Sequence, residues 1–239
     1  MIACDLHVHS IRSTCGFHTL LELVSIIGKR DGVRGFALTD HGPVHDTPRS
    51  HFSVMLKRMP SHIETLRVFK GIEATILSED GTIDLPSFSF GKPYEIVLAG
   101  LHNYGVFASS TGSKANTRAV VNTLRRNPEV KIITHPFWRE FSLDLDEVTD
   151  TALETGAALE INNSYLLNKK ADLDSLDNLL DHSRGKGNPL SINSDGHMFN
   201  EVARFDLALD ILERHGGPDA FNIVNRTMES TLTFLGIEE

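Results

Sequence analysis

Apolar, β-branched runs alternate with helical patterns along this chain, and run after run ends in His, Asp or Glu. This recurrence constrains the fold more than any other feature. Strands separated by helices pair in parallel within one sheet. An open doubly wound sheet brings polar groups together only near its switch point. A closed β/α barrel collects one from the C-terminal end of every strand. The pattern therefore predicts an α/β chain folded as a TIM-like barrel of seven parallel strands, with its site at their C-terminal ends. No Gly/Ser linker, low-complexity tract or internal repeat interrupts residues 1–239, so one domain is expected.

The first strand, Asp5-Leu6-His7-Val8-His9-Ser10, sets the theme. Strand alternation puts Asp5, His7 and His9 on one face and Cys4, Leu6 and Val8 on the other. Two imidazoles about 7 Å apart on a strand can close on one metal ion, with a carboxylate beside them to hold a ring tautomer. Later runs at 35–38, 67–72, 95–101, 131–134, 156–161 and 190–194 lead into His41, Glu73, His102, His135, Asn162-Asn163 and Asp195-Gly196-His197. Helices are expected over 20–29, 113–126, 146–155, 172–186, 199–215 and 227–235. Residues 42–66 read as a functional loop with one short helix at 52–58, and 79–82 as a hairpin turn.

Twelve of 239 residues are histidine, so chance does not place one at the end of five strands in seven. Any one of them alone reads equally well as a buried, hydrogen-bonded core residue. Together, neutral imidazoles with one or two carboxylates form a ligand set for zinc, manganese or iron rather than calcium or magnesium. Eight such groups exceed the needs of one tetrahedral ion, and Glu73 can bridge two, so two or three ions per chain are expected. Asp5 and Asp40 are expected to receive imidazole N–H groups. Asn162 reads as orienting substrate or capping a turn. Arg12, Arg49, Arg139 and Lys169 read as phosphate-binding or as surface charges. Trp138 reads as a pocket wall or core residue, and Cys4 as core. His45, His51 and His62 read as surface or lid residues, and His182 and His215 receive no role.

A net charge of −9 argues against a grip on a nucleic-acid backbone. No apolar run reaches the roughly 18 residues a membrane span needs, and the chain enters its first strand at once, so neither span nor signal peptide is expected. Two cysteines make no disulfide framework, and a reduced, cytoplasmic protein is expected.

Six motifs carry a family resemblance: Asp5-Leu6-His7-Val8-His9-Ser10, Thr39-Asp40-His41-Gly42-Pro43, Gly71-Ile72-Glu73-Ala74, Thr134-His135-Pro136, Leu159-Glu160-Ile161-Asn162-Asn163-Ser164 and Ser194-Asp195-Gly196-His197. In this order, over nearly the whole chain, they resemble the PHP (polymerase and histidinol phosphatase) superfamily. They look closest to its stand-alone bacterial phosphatases of the YcdX type. The resemblance implies a distorted seven-stranded barrel, a trinuclear zinc site and a homotrimer. It assigns His7, His9, Glu73 and Asp195 to one ion; Glu73, His102 and His135 to a second; and His41, His197 and position 15 to a third. At position 15 the family pattern has histidine, where this chain has Cys15 after Ser13-Thr14, with His18 following. Cys15 as a thiolate, His18, or no protein ligand at all remain open there.

Metal ions so placed activate water as a hydroxide nucleophile and clamp a phosphoryl group. Neither a Gly-x-Ser-x-Gly nor a P-loop pattern is present, consistent with a reaction needing no Ser or Cys nucleophile. The expected activity is hydrolysis of a small phosphomonoester, using zinc, with manganese or iron as substitutes. Competing readings are a phosphodiesterase or 3′–5′ nuclease and a metal-binding barrel without turnover. Amide hydrolysis in an amidohydrolase-like barrel is a further one, although no strand end supplies the lysine it would need.

Overall fold

The computed structural model describes residues 1–45, 56–86, 93–103 and 112–239. The strands are β1 (Cys4–Val8), β2 (Gly35–Leu38), β3 (His62–Ile63), β4 (Leu66–Thr75), β5 (Ile96–Gly100), β6 (Val130–Ile133), β7 (Ala158–Asn162), β8 (Pro189–Asn193) and β9 (Asn222–Ile223). The helices are α1 (Leu20–Ile27), α2 (Ser113–Arg126), α3 (Leu145–Thr155), α4 (Asn163–Leu167), α5 (Leu173–Ser183), α6 (Asp206–Arg214) and α7 (Met228–Leu235). In the sheet, β1, β2, β4, β5, β6, β7, β8 and β9 follow in that order, all parallel, and β3 pairs antiparallel with β4. The seven expected strands are therefore joined by an eighth parallel one, β9, only two residues long. So short a run has no measurable period in the sequence. No helix among the described residues is long and apolar enough to cross a membrane.

The curled sheet closes on itself at a seam between β8 and β1, and side chains do much of the sealing. At the N-terminal end the Asn225 carbonyl accepts from Ala3 N and Cys4 N at 3.1 and 3.3 Å. The Asn225 amide donates to the Cys4 and Ile192 carbonyls at 2.7 and 2.6 Å, and its Oδ1 accepts from Ile192 N at 3.1 Å. Higher up, Leu6 N donates to Asn193 Oδ1, and β1 meets the end of β8 through Val8 and Gly196, where His9 N donates to the Gly196 carbonyl. Asparagine supplies both a donor and an acceptor, so it can replace a missing rung of backbone ladder.

Two apolar layers result. The larger lies between the outer face of the sheet and the helices and includes Val8, Phe36, Val68, Ile72, Val120, Leu124, Leu176 and Leu212. The smaller fills the barrel's lower interior with Cys4, Leu6, Ala37, Phe69, Leu98, Ile132 and Ala158, and α7 stops its base with Leu235. Cys4 is thus core, as expected. The simple alternation expected of β1 does not hold. Its pairing with β2 slips by one residue between Asp5 and Val8. This bulge lets Leu6 join the interior layer below His7, while Val8 joins the outer one.

Helix boundaries follow local signals. Thr19 and Glu22 form a capping box at α1, Asp144 caps α3, and Gly156 ends α3 in the left-handed conformation. The turn at 79–82 forms as expected, closed by Leu77 N to the Thr82 carbonyl and docked on α2 through Arg118–Glu79 and Arg126–Asp80 pairs. The helix expected from 199 begins only at Asp206. Glu201 accepts from His197 N and Met198 N at 3.2 Å each, and Asp5 accepts from Ala203 N at 3.0 Å, which holds 197–203 in turns. The short helix expected at 52–58 lies largely outside the described residues, as do Arg49 and His51.

Replacing the fully buried Asn225 by alanine strands the Cys4 and Ile192 carbonyls at the seam. Urea denaturation should show a loss of about 3 kcal/mol, the scale of leaving buried polar groups unpaired; a loss below about 1 kcal/mol would show that the seam does not depend on this side chain.

Candidate metal centre and active-site cleft

Barrel closure brings the strand ends to a common point. His7 lies within β1 and His9 just past it; Glu73 lies inside β4; His41, His102, His135 and Asp195 follow the ends of β2, β5, β6 and β8. All are buried, and so are Asp40 and Glu160. Two of these residues, His135 and Asp195, have positive φ, 36° and 49°. Such a backbone costs free energy and persists only where surroundings enforce it. At His135, Pro136 follows and Glu160 grips the backbone N–H at 2.8 Å. A Cβ on Gly100 would stand 2.2 Å from Thr134 Oγ1 and 2.9 Å from His135 Cε1, so only glycine admits the imidazole beside β5.

Glu73 sits at the middle. Its Oε1 faces His102 Nε2 at 3.2 Å and His135 Nε2 at 3.3 Å. Its Oε2 faces His41 Nδ1 at 2.9 Å, His7 Nε2 at 3.2 Å and His9 Nε2 at 3.5 Å. Burial alone would raise its pKa, yet the charges of His7, His41 and His102 overcome that and hold Glu73 well below the usual carboxylate range.

His7 Nε2, His9 Nε2 and Asp195 Oδ1 form one compact group, separated by 3.0, 3.4 and 3.2 Å, and Glu73 Oε2 lies 3.2 and 3.5 Å from its two imidazole nitrogens. A tetrahedron built on zinc–ligand bonds of about 2.0–2.1 Å has edges of about 3.3–3.4 Å. His7 gives its Nδ1–H to Glu160 at 2.7 Å, so its Nε2 arrives as a lone pair, 3.0 Å from that of His9. Two ring nitrogens and two carboxylates crowd toward one point, an arrangement that suits a cation. Burial opposes a charge on His7, but Glu160, Asp195 and Glu73 outweigh it and raise its pKa well above the usual value. His9, buried beside His197 and His41, is pushed well below.

A second group comprises His41, Glu73 and His102, with His135 against the same Glu73 oxygen. A third comprises His9, Cys15, His41 and His197, their donor atoms within 4.8 Å of one another. The structure thus brings Cys15, and not His18, into the cluster. His41 stands between the second and third groups rather than in one alone. Its pKa falls to about 4, through burial first, against the pull of Glu73.

Neither aspartate expected to hold an imidazole does so. The bulge in β1 turns Asp5 to the seam, where it accepts from Ser194 N at 3.0 Å, Ser194 Oγ at 2.5 Å and Ala203 N; burial pushes it up to about 6. Asp40 accepts from Ser10 N and Ser10 Oγ, both at 2.7 Å, and from Ser13 N at 3.3 Å, anchoring the turn that carries Cys15. The carboxylate on an imidazole is Glu160, which the sequence reading passed over. Its Oε1 takes His7 Nδ1 and Asn193 Nδ2, and its Oε2 takes Asn162 Nδ2 and His135 N. The signal was a charged residue alone in an otherwise apolar buried strand. Asn162 caps α4 by accepting from Tyr165 N, the second of its two expected roles, and its amide donates to Glu160 and Asp195.

The cluster floors a cleft of about 740 Å³. Trp138 and Tyr165 wall it, Tyr165 stacked on His135 at 4.6 Å and 11°. Tyr165 came unforeseen, since α4 is too short for a periodic signal. Lys170, 5.2 Å above the Tyr165 ring, is the one cation among the described lining residues, in place of the expected Lys169. Arg139 instead donates to the Ala171 carbonyl, and Arg12 lines a separate groove. His45 also lines the cleft, its ring 4.0 Å from that of His41. His62 is exposed on β3, while His182 and His215 pair with surface aspartates.

No family model matches the chain. Curated relatives do. A probable phosphatase of Syntrophotalea carbinolica is 39% identical over 236 residues, 98% of this chain and 95% of its own length. Another, from Shewanella frigidimarina, is 34% identical over 97% of this chain and 92% of its own, and one from Caldanaerobacter subterraneus is 32% identical over 98% and 91%. The chain belongs to this family of probable phosphatases. Its fold matches the crystal structure of histidinol phosphate phosphatase from Lactococcus lactis, complexed with zinc, L-histidinol and phosphate, at a TM-score of 0.65 and 17% identity, over 90% of this chain and 94% of that one. The crystal structure of the putative histidinol phosphatase from Listeria monocytogenes gives 0.56 and 13%, over 86% of this chain and 99% of that one.

Within this phosphatase-family member, Glu160→Gln keeps the shape of the side chain but puts an amide N–H where an acceptor is needed by His7 or His135. Zinc affinity measured against a competing chelator should fall about 10–100-fold, the usual cost of losing such a partner, with the far-ultraviolet circular dichroism unchanged. Unchanged zinc affinity would show that Glu160 does not orient ligands.

Proposed function

We propose that this chain is a metal-dependent phosphatase that hydrolyses a small phosphomonoester, with two or three zinc ions per chain as its cofactor. Its ligands are His7, His9, Glu73 and Asp195 for one ion, and Glu73, His102 and His135 for a second. His41, His197 and Cys15 serve a third. The observation that carries this reading is Glu73, a buried carboxylate whose two oxygens face separate sets of imidazole nitrogens, as a ligand shared between ions must. The names of the relatives, and the zinc and phosphate bound by the Lactococcus lactis enzyme, support it.

Ions in such a group lower the pKa of water toward about 7 and neutralise phosphoryl charge. The chain's own residues supply the rest. Glu160 fixes the His7 tautomer and the unusual backbone of His135, while Asn162 holds one oxygen of Asp195. These contacts keep the donors in place without substrate, so little reorganisation is left for the reaction. Lys170 reaches into the cleft as a cation for the phosphate or its leaving group, and Trp138 and Tyr165 offer flat apolar walls to the rest of a small molecule.

The test is hydrolysis of p-nitrophenyl phosphate and of its bis-ester by the purified chain. Monoester turnover that a chelator abolishes and zinc restores is expected. Preference for the diester would favour the nuclease reading, and no turnover by a metal-loaded chain would favour a barrel that only binds metal. Lys170→Ala should raise KM for the monoester about tenfold, near 1.4 kcal/mol, the scale of one charge-assisted hydrogen bond. An unchanged KM would remove Lys170 from substrate binding.

A further inference from the structure

We propose that Cys15 is an oxidisable ligand: peroxide attack on its sulfur releases the ion held with His41 and His197 and silences the site until a thiol restores it. The inference rests on the proposed place of Cys15 at the third ion, and adds a reversible chemical control of that ion.

Cys15 is presented by a rigid turn. Ser13 N and Gly16 N close it on the Ser10 and Ser13 carbonyls at 3.0 Å each, and Asp40 ties Ser10 and Ser13 from behind. Ser13 Oγ accepts from His41 N at 3.0 Å and lies 3.3 Å from His9 Nδ1. The turn is therefore one unit with His41, which serves the same ion, and with His9 beside it. The sulfur stands among imidazole nitrogens, a donor set that suits zinc, and a cysteine ligates zinc as the thiolate, the form that oxidants attack. Cys15 is half-buried and lines the cleft, where a molecule the size of peroxide has access.

Cys4, the other cysteine, shows the opposite environment. It is fully buried in the barrel interior with its sulfur against Met228 Sδ, and burial pushes its thiol up to about 11. It stays protonated and inert, and sealed in the interior it offers no partner for a disulfide. Oxidation of Cys15 therefore forms no internal disulfide; with peroxide kept to about one equivalent per chain its product is the sulfenic acid, the one rung that an external thiol reverses. The thiolate attacks one peroxide oxygen, the S–O bond forms as the O–O bond breaks, and hydroxide leaves; sulfur loses two electrons and peroxide gains them. An external thiol then displaces water to give a mixed disulfide, and a second thiol releases the Cys15 thiolate and carries the disulfide away. With its sulfur oxidised, Cys15 no longer offers the soft thiolate that zinc accepts, and the ion is left to imidazoles alone.

The zinc-loaded chain should be treated with hydrogen peroxide while zinc release is followed with a colorimetric chelator. Dimedone labelling should be mapped by peptide mass spectrometry. The expected result is release of a single zinc ion per chain, dimedone on Cys15 and none on Cys4, with phosphatase activity regained on adding dithiothreitol and zinc. Cys15→His, which carries a ligand that peroxide does not oxidise in this way, should release no ion. Equal release from Cys15→His, or a fully loaded chain whose Cys15 stays unlabelled and whose zinc stays bound, would overturn this inference alone. A chain that takes up no zinc at all would overturn the metal-centre reading as well.

Discussion

A carboxylate buried among imidazoles is the constraint on which this molecule depends. Glu73 lies inside β4 with both oxygens faced by five ring nitrogens from four other segments. An isolated carboxylate in such a place would be protonated or would not be buried. Its company explains the barrel's least regular features: the slipped register of β1, which delivers His7 and His9 above the apolar layer; the left-handed backbone at His135 and Asp195; and the glycine at 100 that makes room for an imidazole. Each is a local cost accepted so that donors converge.

The support around the donors is as specific as the donors themselves. Glu160 joins the ends of β1, β6, β7 and β8 through four hydrogen bonds, and Asn193 and Asn225 close the seam below. Asp5 and Asp40 serve the frame rather than the rings: one pins the turn after β8, the other the turn bearing Cys15. The barrel can open on one side to a wide cleft because these polar contacts hold its rim.

Much of this was legible in the sequence because it depends on period and position. Strand–helix alternation revealed the barrel, and a ligand-type residue after each strand revealed the gathering point. What escaped depends on geometry that no period encodes. The bulge that turns Asp5 away from His7 leaves no mark on residue identity. Tyr165 lies on a helix of five residues and β9 has only two, both too short for a pattern. Glu160 was visible as a charge in an apolar strand, but only the fold shows that it faces His7 and not solvent. Lys170 replaces Lys169 at the cleft by a one-residue difference that turns on the left-handed backbone of Lys169.

The central claim is that these donors enclose metal ions. Crystals of the chain grown without chelator, with diffraction recorded on both sides of the zinc absorption edge, test it most directly. An anomalous peak is expected between His7, His9, Glu73 and Asp195, and a second between Glu73, His102 and His135, the Glu73 carboxylate spanning the two. Crystals soaked in zinc that show no peak at either position, with the imidazoles hydrogen-bonded to one another or to water, would contradict it.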